Sequence, residues 1–414
     1  MSTTPDVVIT GLGATTPLGG DVPSTWRAAL AGESGARTLE NDWAETYEIP
    51  VSFAAQLKVR PEEALTRPEM KRMDPSAQYA MIAAREAWAD AGAPELAPER
   101  LGVVVSSGIG GIWTTLDAWD TLREKKARRV LPMTVPMLMP NSPAAYVELE
   151  LGARAGAHAL VSACASGAEA IGYAAEMIRS GRADVVVAGG TEAAIHPMPL
   201  AAFAASRTLS TRNDDPAAAS RPYDTQRDGF VLGEGAGIVV LESAEHAAAR
   251  GARVYARISG VGLSADGYHI TSPNPDGRGQ VTAMNAALAQ ADIAAADVVH
   301  VNAHATSTVV GDLIEARSVR TVLGDAADRV ALSATKSMTG HLLGGAGALE
   351  TIFTVLALHD RKAPPTINVD QPDPDLVLDL VRGEPRTLPD GQIAAINNSF
   401  GFGGHNVALV VTTA

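Results

Sequence analysis

Apolar runs alternate with amphipathic stretches along this chain, and the alternation predicts strands and helices in turn. Strands are predicted at residues 6–10, 101–107, 157–161, 184–190, 230–241, 297–302, 330–335, 393–396 and 407–411, with a tight turn dividing 230–241. Helices are predicted from an N-cap at Ser24, from Pro75 to about residue 91, over 167–178 and from about residue 346. The glycine-rich turn at 11–13 is expected to end the first strand. Strands that alternate with helices favour an α/β fold.

The second half of the chain repeats the order of the first. The helix and strand at 86–107 recur at 287–302, the strand, turn and helix around residue 164 recur from residue 330, and the strand pair at 230–241 recurs at 393–411. Three segments that recur in the same order predict a duplicated domain and not a solenoid. We therefore expect two packed α/β halves, 1–251 and 252–414, with a cap insertion at about 112–150 in the first.

Composition narrows the class of protein. The chain is 46% hydrophobic and 19% charged, as in ordinary globular proteins, and its single cysteine excludes a disulfide framework. No Cys/His group has zinc spacing, so no metal is expected. A net charge of −14 argues against a general nucleic-acid role. No basic and apolar leader is evident at the start, and no apolar run approaches the roughly 18 residues of a membrane span. A cytoplasmic protein without membrane contact is predicted.

The only cysteine, Cys164, lies between a predicted strand and a predicted helix. The stretch from Ser162 to Gly167 forms the turn between them. The free N–H groups and the dipole of a helix N-terminus favour negative charge, so we expect a lowered pKa and a nucleophilic thiolate. A buried, inert cysteine is the alternative, and this stretch alone does not separate the two.

Two histidines lie in loops that follow predicted strands, where open α/β sheets place their chemistry. His304 comes just past the strand at 297–302, and His341 lies in a glycine-rich turn that corresponds, by the repeat, to the Cys164 turn. Lys336 is near enough to bias both imidazoles toward neutrality, and Glu350 on the following helix is positioned to anchor it. Each histidine alone also fits an ordinary core or surface position.

A third loop supplies backbone donors. Phe402 stands between glycines in the stretch from Asn397 to Asn406, and glycines let N–H groups approach a ligand closely, as in an oxyanion hole. A tight turn with a packing phenylalanine is the alternative. A thiolate, an oxyanion hole and two neutral imidazoles that stabilise an enolate together predict a decarboxylating Claisen condensation. Hydrolysis of a thioester competes, because a histidine is also able to activate water.

In combination these motifs resemble the β-ketoacyl-[acyl-carrier-protein] synthases of the elongating type II class, over nearly the whole chain. The motifs that carry the resemblance are Ser162–Gly167, Asn302–Thr308, Lys336–His341 and Asn398–Gly404, and the closing Gly403–Asn406 resembles the actinobacterial branch. The resemblance implies a thiolase fold with five αβαβα layers, a homodimer, an acyl-carrier protein as partner and no cofactor beyond the phosphopantetheine that this partner carries.

The resemblance also implies a role for each residue of the site. Cys164 would be acylated, His304 and His341 would promote decarboxylation, and Lys336 and Glu350 would support them. The N–H groups of Cys164 and Phe402 would form the oxyanion hole, with Phe402 as the gate of the acyl pocket. Thr306 and Thr308 would bind the pantetheine arm, and the acyl pocket would be lined by Ile109, Met133, Thr134, Met137 and Phe203. The methionine-rich segment equally fits plain core packing.

An acidic carrier protein calls for a local basic patch on this acidic chain, which would steer the encounter and be sensitive to salt. The candidates are Arg67, Lys71, Arg72, Lys125, Lys126, Arg128, Arg129 and Arg207. Each of these residues alone also fits an ordinary solvated charge.

Three positions depart from the family pattern. Ala305 replaces a glycine, Val309-Val310 replaces a proline and Thr134 replaces a frequent aromatic residue, which affects the pantetheine channel and the acyl tunnel but removes no reacting group. Two alternatives remain. A polyketide ketosynthase would share the triad and need a partner subunit without the cysteine, and a thioester hydrolase or non-condensing carrier-binding protein would share only the fold.

Overall fold

The computed structural model describes residues 5–414. The first half contains β1 (Val7–Thr15), α1 (Val22–Leu30), β2 (Arg37–Thr38), α2 (Trp43–Thr46), β3 (Phe53–Ala54), α3 (Arg67–Met70), α4 (Pro75–Asp90), β4 (Leu101–Ser106), α5 (Ile112–Lys125), α6 (Thr134–Leu138), α7 (Ser142–Leu151), β5 (Ala157–His158), α8 (Ser166–Arg179), β6 (Val185–Glu192), α9 (Pro197–Ala205), β7 (Gly235–Ser243) and α10 (Ala244–Ala249). The cap insertion predicted at 112–150 is α5 to α7.

The second half contains β8 (Ala256–Ala265), α11 (Arg278–Ala291), β9 (Val298–Asn302), α12 (Gly311–Leu323), β10 (Ala331–Ser333), α13 (Lys336–Thr339), α14 (Ala346–Asp360), β11 (Lys362–Ala363), β12 (Arg386–Thr387), β13 (Ala394–Gly401) and β14 (His405–Thr413). None of the helices within residues 5–414 combines the length and the apolar composition that a membrane span requires. The expectation that the chain starts without a leader falls in part on residues 1–4, outside the described range.

The two halves have the same strand order. One sheet has ten strands in the order β10-β9-β13-β14-β8-β1-β7-β6-β4-β5. When only the five strands that each half gives to this sheet are counted, both halves place their fifth, fourth, second and third strand in turn, outward from the first. The halves join where β1 pairs antiparallel with β8, at Val8–Arg257 and Ile9–Ala256. Two central helices, α8 and α14, pack on each other between the two halves of the sheet, and α14 is buried continuously from Ala346 to Leu358. The duplicated α/β fold expected from the sequence is confirmed.

Paired glycines let an outer helix lie directly on the first strand of each half. A Cβ on Gly11 or Gly13 would lie 2.2 or 2.0 Å from a carbonyl oxygen of α4, at Ala87 and Ala83. In the second half Gly260 and Gly262 of β8 bear the same relation to α11, at 2.0 and 1.8 Å from carbonyl oxygens. With α4 and α11 outside and α8 and α14 between, the layers follow the αβαβα order.

Several predicted bounds were wrong for local reasons. Gly11 and Gly13 do not end β1, because they serve helix packing and the strand continues to Thr15. Asp21 and not Ser24 caps α1, since its carboxylate accepts the Ser24 N–H at 2.8 Å. The predicted strand at 157–161 stops at His158, where the chain turns toward the cysteine. The predicted strand before the turn at 233 forms only isolated bridges, one of them between Leu232 and His341.

Candidate active site

The chain enters Cys164 through a tight turn. Residues Ala163–Ala165 form a 3-10 turn that leads into α8, and Ala163 has the left-handed value φ = +52°. The Ser166 hydroxyl holds this turn, because it accepts the Ser162 N–H at 3.0 Å and donates to the Ala163 carbonyl at 2.7 Å. A non-glycine residue is held in this conformation only when its surroundings enforce it. The cysteine is therefore fixed at the start of the central helix α8.

The expectation of a lowered thiol pKa was wrong for the ligand-free protein. Burial raises the pKa of Cys164 to about 11, because the interior disfavours the charged thiolate more than its neighbours favour it. The neighbours that oppose this effect are the Lys336 ammonium and the N–H groups of Phe402 and Cys164 itself. The resting thiol is protonated, and its activation depends on groups that stabilise negative charge at the moment of attack.

This raised pKa predicts the pH dependence of alkylation. The rate of Cys164 modification by iodoacetamide should rise across pH 7 to 10 by roughly tenfold per unit, without the plateau near pH 8.5 of a free cysteine. The measurement is the alkylated fraction against time at each pH, by mass spectrometry of the intact chain, whose only cysteine is Cys164. A rate that levels off below pH 9 would show that the thiolate is stabilised in the resting protein.

His304 and His341 lie side by side within the protein. His304 follows β9, His341 follows α13, and their ring centroids are 5.4 Å apart with the planes at 85°. Burial lowers the pKa of both well below 6.5, with the Lys336 charge as the next cause. Both imidazoles are therefore neutral at ordinary pH, and neither Nδ1 has a hydrogen-bond partner in the part of the chain that the structure describes. Each ring is able to present one N–H to a developing oxyanion.

A buried ion pair stands behind the histidines. The Lys336 ammonium lies 2.5 Å from the Glu350 carboxylate, with both side chains almost fully buried. Burial raises the pKa of Glu350 to about 7, and Lys336 opposes that rise. This is the pairing expected from the sequence, and it connects the turn of His341 to the central helix α14.

The Phe402 loop approaches the cysteine through its backbone. A Cβ on Gly401 would lie only 2.3 Å from the Ser162 carbonyl oxygen and 3.2 Å from the Cys164 nitrogen. The loop is the turn between β13 and β14, with Gly403 and Gly404 at φ = +89° and +75°. The N–H groups of Phe402 and Cys164 both act to lower the pKa of the Cys164 thiol, which is the effect expected of the donors of an oxyanion hole.

One cavity of about 580 Å³ joins these groups. Its lining includes Cys164, His304, His341 and Phe402, together with Thr306, Thr308, Ile109, Phe203, Arg207 and Phe230. Of the five residues expected in the acyl pocket, Met133, Thr134 and Met137 do not line it. All three lie at or in α6 of the cap, which packs outside the loop that carries Ile109: the Gly111 N–H donates to the Leu138 carbonyl at 3.2 Å.

Three supporting residues escaped the sequence reasoning. Glu315 of α12 accepts the N–H groups of His304 and Ala305, both at 2.8 Å, and so holds the first histidine. Phe230 packs edge-on against His341 with a centroid distance of 5.5 Å. Glu192 at the end of β6 accepts N–H groups from two loops of the site. Phe230 and Glu192 act on residues that are distant in sequence, and Glu315 lies one helix turn into α12, about ten residues after the histidine that it holds, so no motif marks any of the three.

The loop that carries Thr306 and Thr308 is held by hydrogen bonds from a buried arginine. The Arg227 guanidinium donates to the carbonyls of Thr308 and Val309 at 3.0 and 2.8 Å. The two threonine hydroxyls are 3.3 Å apart at the cavity wall. Val309 and Val310, which replace the proline of the family pattern, are exposed at the cavity mouth. The arginine holds the loop in place although the proline is missing.

All eight residues of the expected basic patch are exposed. They are Arg67, Lys71, Arg72, Lys125, Lys126, Arg128, Arg129 and Arg207. Within residues 5–414 none of them forms an ion pair with a carboxylate, so their charges are available to a partner. Arg207 also lines the mouth of the cavity.

Comparison with known families identifies the class of protein. The profile of the β-ketoacyl synthase N-terminal domain matches residues 4–247, and that of the C-terminal domain matches residues 255–370. The chain belongs to the β-ketoacyl synthase family and is an acyltransferase.

Its curated relatives are similar over nearly their full length. The chain is 47% identical over 413 residues to 3-oxoacyl-[acyl-carrier-protein] synthase 2 of Staphylococcus aureus, with 99% of each chain covered. It is 45% identical over 406 residues to the protein of the same name in Mycobacterium tuberculosis, covering 98% of this chain and 96% of the relative.

Solved structures confirm the thiolase-type fold. A β-ketoacyl synthase from Burkholderia phymatum superposes with a TM-score of 0.90 at 35% identity, covering 99% of this chain and all of the other. A type II polyketide ketosynthase, solved with its acyl-carrier protein and bound to the hexaketide, superposes with a TM-score of 0.91 at 31% identity over the whole of both chains.

Proposed function

We propose that this chain is the elongating 3-oxoacyl-[acyl-carrier-protein] synthase of type 2 in fatty acid synthesis. The observation that carries the proposal is one cavity in which a protonated cysteine, two neutral histidines and two backbone N–H groups converge. This set provides a nucleophile, an oxyanion hole and two donors for an enolate, which are the groups that condensation uses.

In the first half-reaction Cys164 takes the acyl chain from its carrier. The sulfur attacks the thioester carbonyl, and the N–H groups of Cys164 and Phe402 stabilise the oxyanion. The tetrahedral species collapses, the carrier's pantetheine thiolate leaves, and the proton of the cysteine passes to that thiolate. The acyl chain then lies against Ile109 and Phe203.

In the second half-reaction malonyl-carrier protein enters along Thr306 and Thr308. The bond between the malonyl α-carbon and the carboxylate breaks, and carbon dioxide leaves. The electron pair of that bond forms an enolate, whose oxygen accepts hydrogen bonds from the N–H groups of His304 and His341. The enolate carbon attacks the acyl carbonyl on Cys164, and the oxyanion forms again in the same backbone hole. Expulsion of the Cys164 thiolate gives β-ketoacyl-carrier protein, and the thiolate takes up one proton from solvent to restore the resting thiol.

We also propose a homodimer in the cytoplasm. Among residues 5–414, β5 pairs only with β4 and lies at one edge of the ten-stranded sheet, which favours pairing with a second copy. The cap, whose helix α7 packs against β5, also exposes large apolar side chains, namely Trp119, Leu122, Leu131 and Val135. An exposed apolar patch of this kind is typical of an interface. A second copy on this face would also cover Met133 and Thr134 at the start of α6.

The main alternative is a polyketide ketosynthase, favoured by the structural similarity to the type II enzyme above. The test uses the chain alone, dodecanoyl-carrier protein, malonyl-carrier protein and mass spectrometry of the products, with Cys164→Ala as control. A β-ketoacyl product two carbons longer, absent with the variant, supports the elongating synthase. Product that forms only after addition of a cysteine-free partner subunit would support the polyketide enzyme, and free dodecanoic acid would support a hydrolase.

The basic patch predicts a salt-sensitive encounter with the carrier. Reversing two charges in Lys125→Glu/Arg128→Glu should raise KM for acyl-carrier protein by on the order of tenfold at low salt and leave kcat unchanged, because the exposed charges steer binding only. The measurement is KM against ionic strength. Arg317→Glu, on the exposed side of α12, is the control. An equal loss in both variants would mean that overall charge and not this patch governs the encounter.

A further inference from the structure

A fully buried carboxylate, Glu192, has no part in the mechanism above. It ends β6 and is 0% exposed. Its oxygens accept four hydrogen bonds, from the Ser107 hydroxyl at 2.6 Å and from the N–H groups of Gly108, Ile109 and Gly344 at 2.8, 3.3 and 3.0 Å. A carboxylate suits this arrangement because it is acceptor-only, whereas an amide would turn its own N–H groups toward some of these donors.

The four donors belong to two separate parts of the site. Ser107, Gly108 and Ile109 form the loop after β4 that supplies Ile109 to the cavity, and Gly344 lies in the turn that leads from His341 into α14. These backbones touch: a Cβ on Gly344 would lie 2.2 Å from the Gly108 nitrogen. A Cβ on Gly108 would in turn lie 3.2 Å from the Ala163 carbonyl oxygen, in the nucleophile turn.

We propose that Glu192 is a positioning residue that ties the acyl-pocket loop to the His341 turn. The Glu192 carboxylate then determines two properties of the site: which lengths of acyl chain fit against Ile109, and where the His341 imidazole lies. Burial raises the pKa of Glu192 to about 7, and its hydrogen bonds oppose that rise. The inference rests on the proposed function, since it assigns Glu192 to both half-reactions of that same site.

The test is Glu192→Gln, with two reactions measured separately. The first is acylation of Cys164 by carrier proteins bearing six- to sixteen-carbon chains, and the second is carbon dioxide release from malonyl-carrier protein. We expect the ratio of short-chain to long-chain acylation to change by about fivefold or more. Decarboxylation should fall on the order of tenfold, as for a displaced catalytic group.

Glu86→Gln is the matched control. Glu86 is a half-buried carboxylate that also accepts two N–H groups, from Ala14 and Val22 at 2.8 Å each, and burial raises its pKa to about 7. It does not line the cavity. If Glu192→Gln alters the reactions only as Glu86→Gln does, with an unchanged chain-length ratio, the proposal is overturned and Glu192 is merely structural.

Ser107→Ala keeps the test decisive should Glu192→Gln fail to fold. It removes the Ser107 donor to Glu192, together with the acceptor of the Gly110 N–H in the same loop, and leaves the bond to Gly344. The chain-length ratio should therefore shift while decarboxylation stays at the wild-type rate. An unchanged ratio would overturn the proposal. Wild-type protein that neither acylates nor decarboxylates would refute the proposed function itself, whereas active wild type with indifferent variants refutes only the assignment of Glu192.

Discussion

Lys336→Met is expected to lower condensation by on the order of 100-fold and to destabilise the fold by about 3 kcal/mol. The Lys336 charge lowers the pKa of Cys164 and of both histidines, so its loss raises all three and makes the thiolate scarcer. Glu350 is left buried without a counter-charge, which is the costly way to break a buried ion pair. Steady-state kinetics and urea unfolding measure the two effects.

The loss of stability in Lys336→Met should depend on pH. Without Lys336 the pKa of Glu350 rises further above its present value of about 7, while its unfolded value stays near 4.5. A carboxyl of this kind binds its proton more tightly in the folded state, so the free energy of unfolding falls as pH rises from 4.5 through the folded pKa. The urea midpoint of Lys336→Met should therefore drop more steeply between pH 6 and 9 than that of the wild type.

The double variant Lys336→Met/Glu350→Gln separates stability from catalysis. It removes both buried charges, so most of the stability should return, while condensation should stay as low as in the single variant. Recovery of activity along with stability would mean that Lys336 only supports the fold, and the electrostatic account of the histidines would then be wrong.

Gly401→Ala is expected to lower kcat by about 10²- to 10³-fold with the fold retained. The new methyl group would meet the Ser162 carbonyl oxygen at 2.3 Å, so the turn must move away and withdraw the Phe402 N–H from the oxyanion. Loss of one such donor has an effect of this size in other enzymes. Acylation and condensation should both slow, because both pass through the same hole, and rapid-quench kinetics of each step measures this.

Gly20→Ala is the control for this variant. Its Cβ would meet only the Val59 side chain, at 2.7 Å, and Gly20 does not line the cavity. Normal kcat is expected there. If Gly401→Ala is also normal, the Phe402 N–H does not contribute to the oxyanion hole.

Local sequence was enough to single out the candidate catalytic groups that the structure brings together. Cys164, His304, His341, Lys336 and Phe402 each stand beside glycines or strand ends, and the repeat placed the His341 turn opposite the Cys164 turn. The structure supports that correspondence in detail, because the 3-10 turns at Ala163 and Leu343 both begin with a residue at positive φ, +52° and +46°. The glycines at 11 and 13 predict a turn from sequence alone, whereas in the structure they, like Gly260 and Gly262 of the second half, let a helix pack on a strand.

Features that depend on the packing of the whole fold could not be predicted from the local sequence. The position of Cys164 at a helix N-terminus predicts a lowered thiol pKa, but burial of the thiol raises the pKa by more. The burial of a residue depends on how all the layers pack, which the local sequence does not reveal. Glu192 and Arg227 contact the site from 80 or more residues away along the chain, so no local spacing reveals them. The cap residues Met133, Thr134 and Met137 show the same limit, because their surroundings depend on how α6 packs.

The most direct test of the Cys-His-His account is a single turnover from the acyl-enzyme. Wild-type protein is acylated with dodecanoyl-carrier protein, freed of excess carrier and mixed with malonyl-carrier protein, and thioesters and carbon dioxide are quantified over time. We predict one carbon dioxide and one fourteen-carbon β-ketoacyl-carrier protein for each Cys164-bound chain consumed. Release of dodecanoic acid from Cys164, or carbon dioxide without a lengthened product, would contradict the proposed condensation.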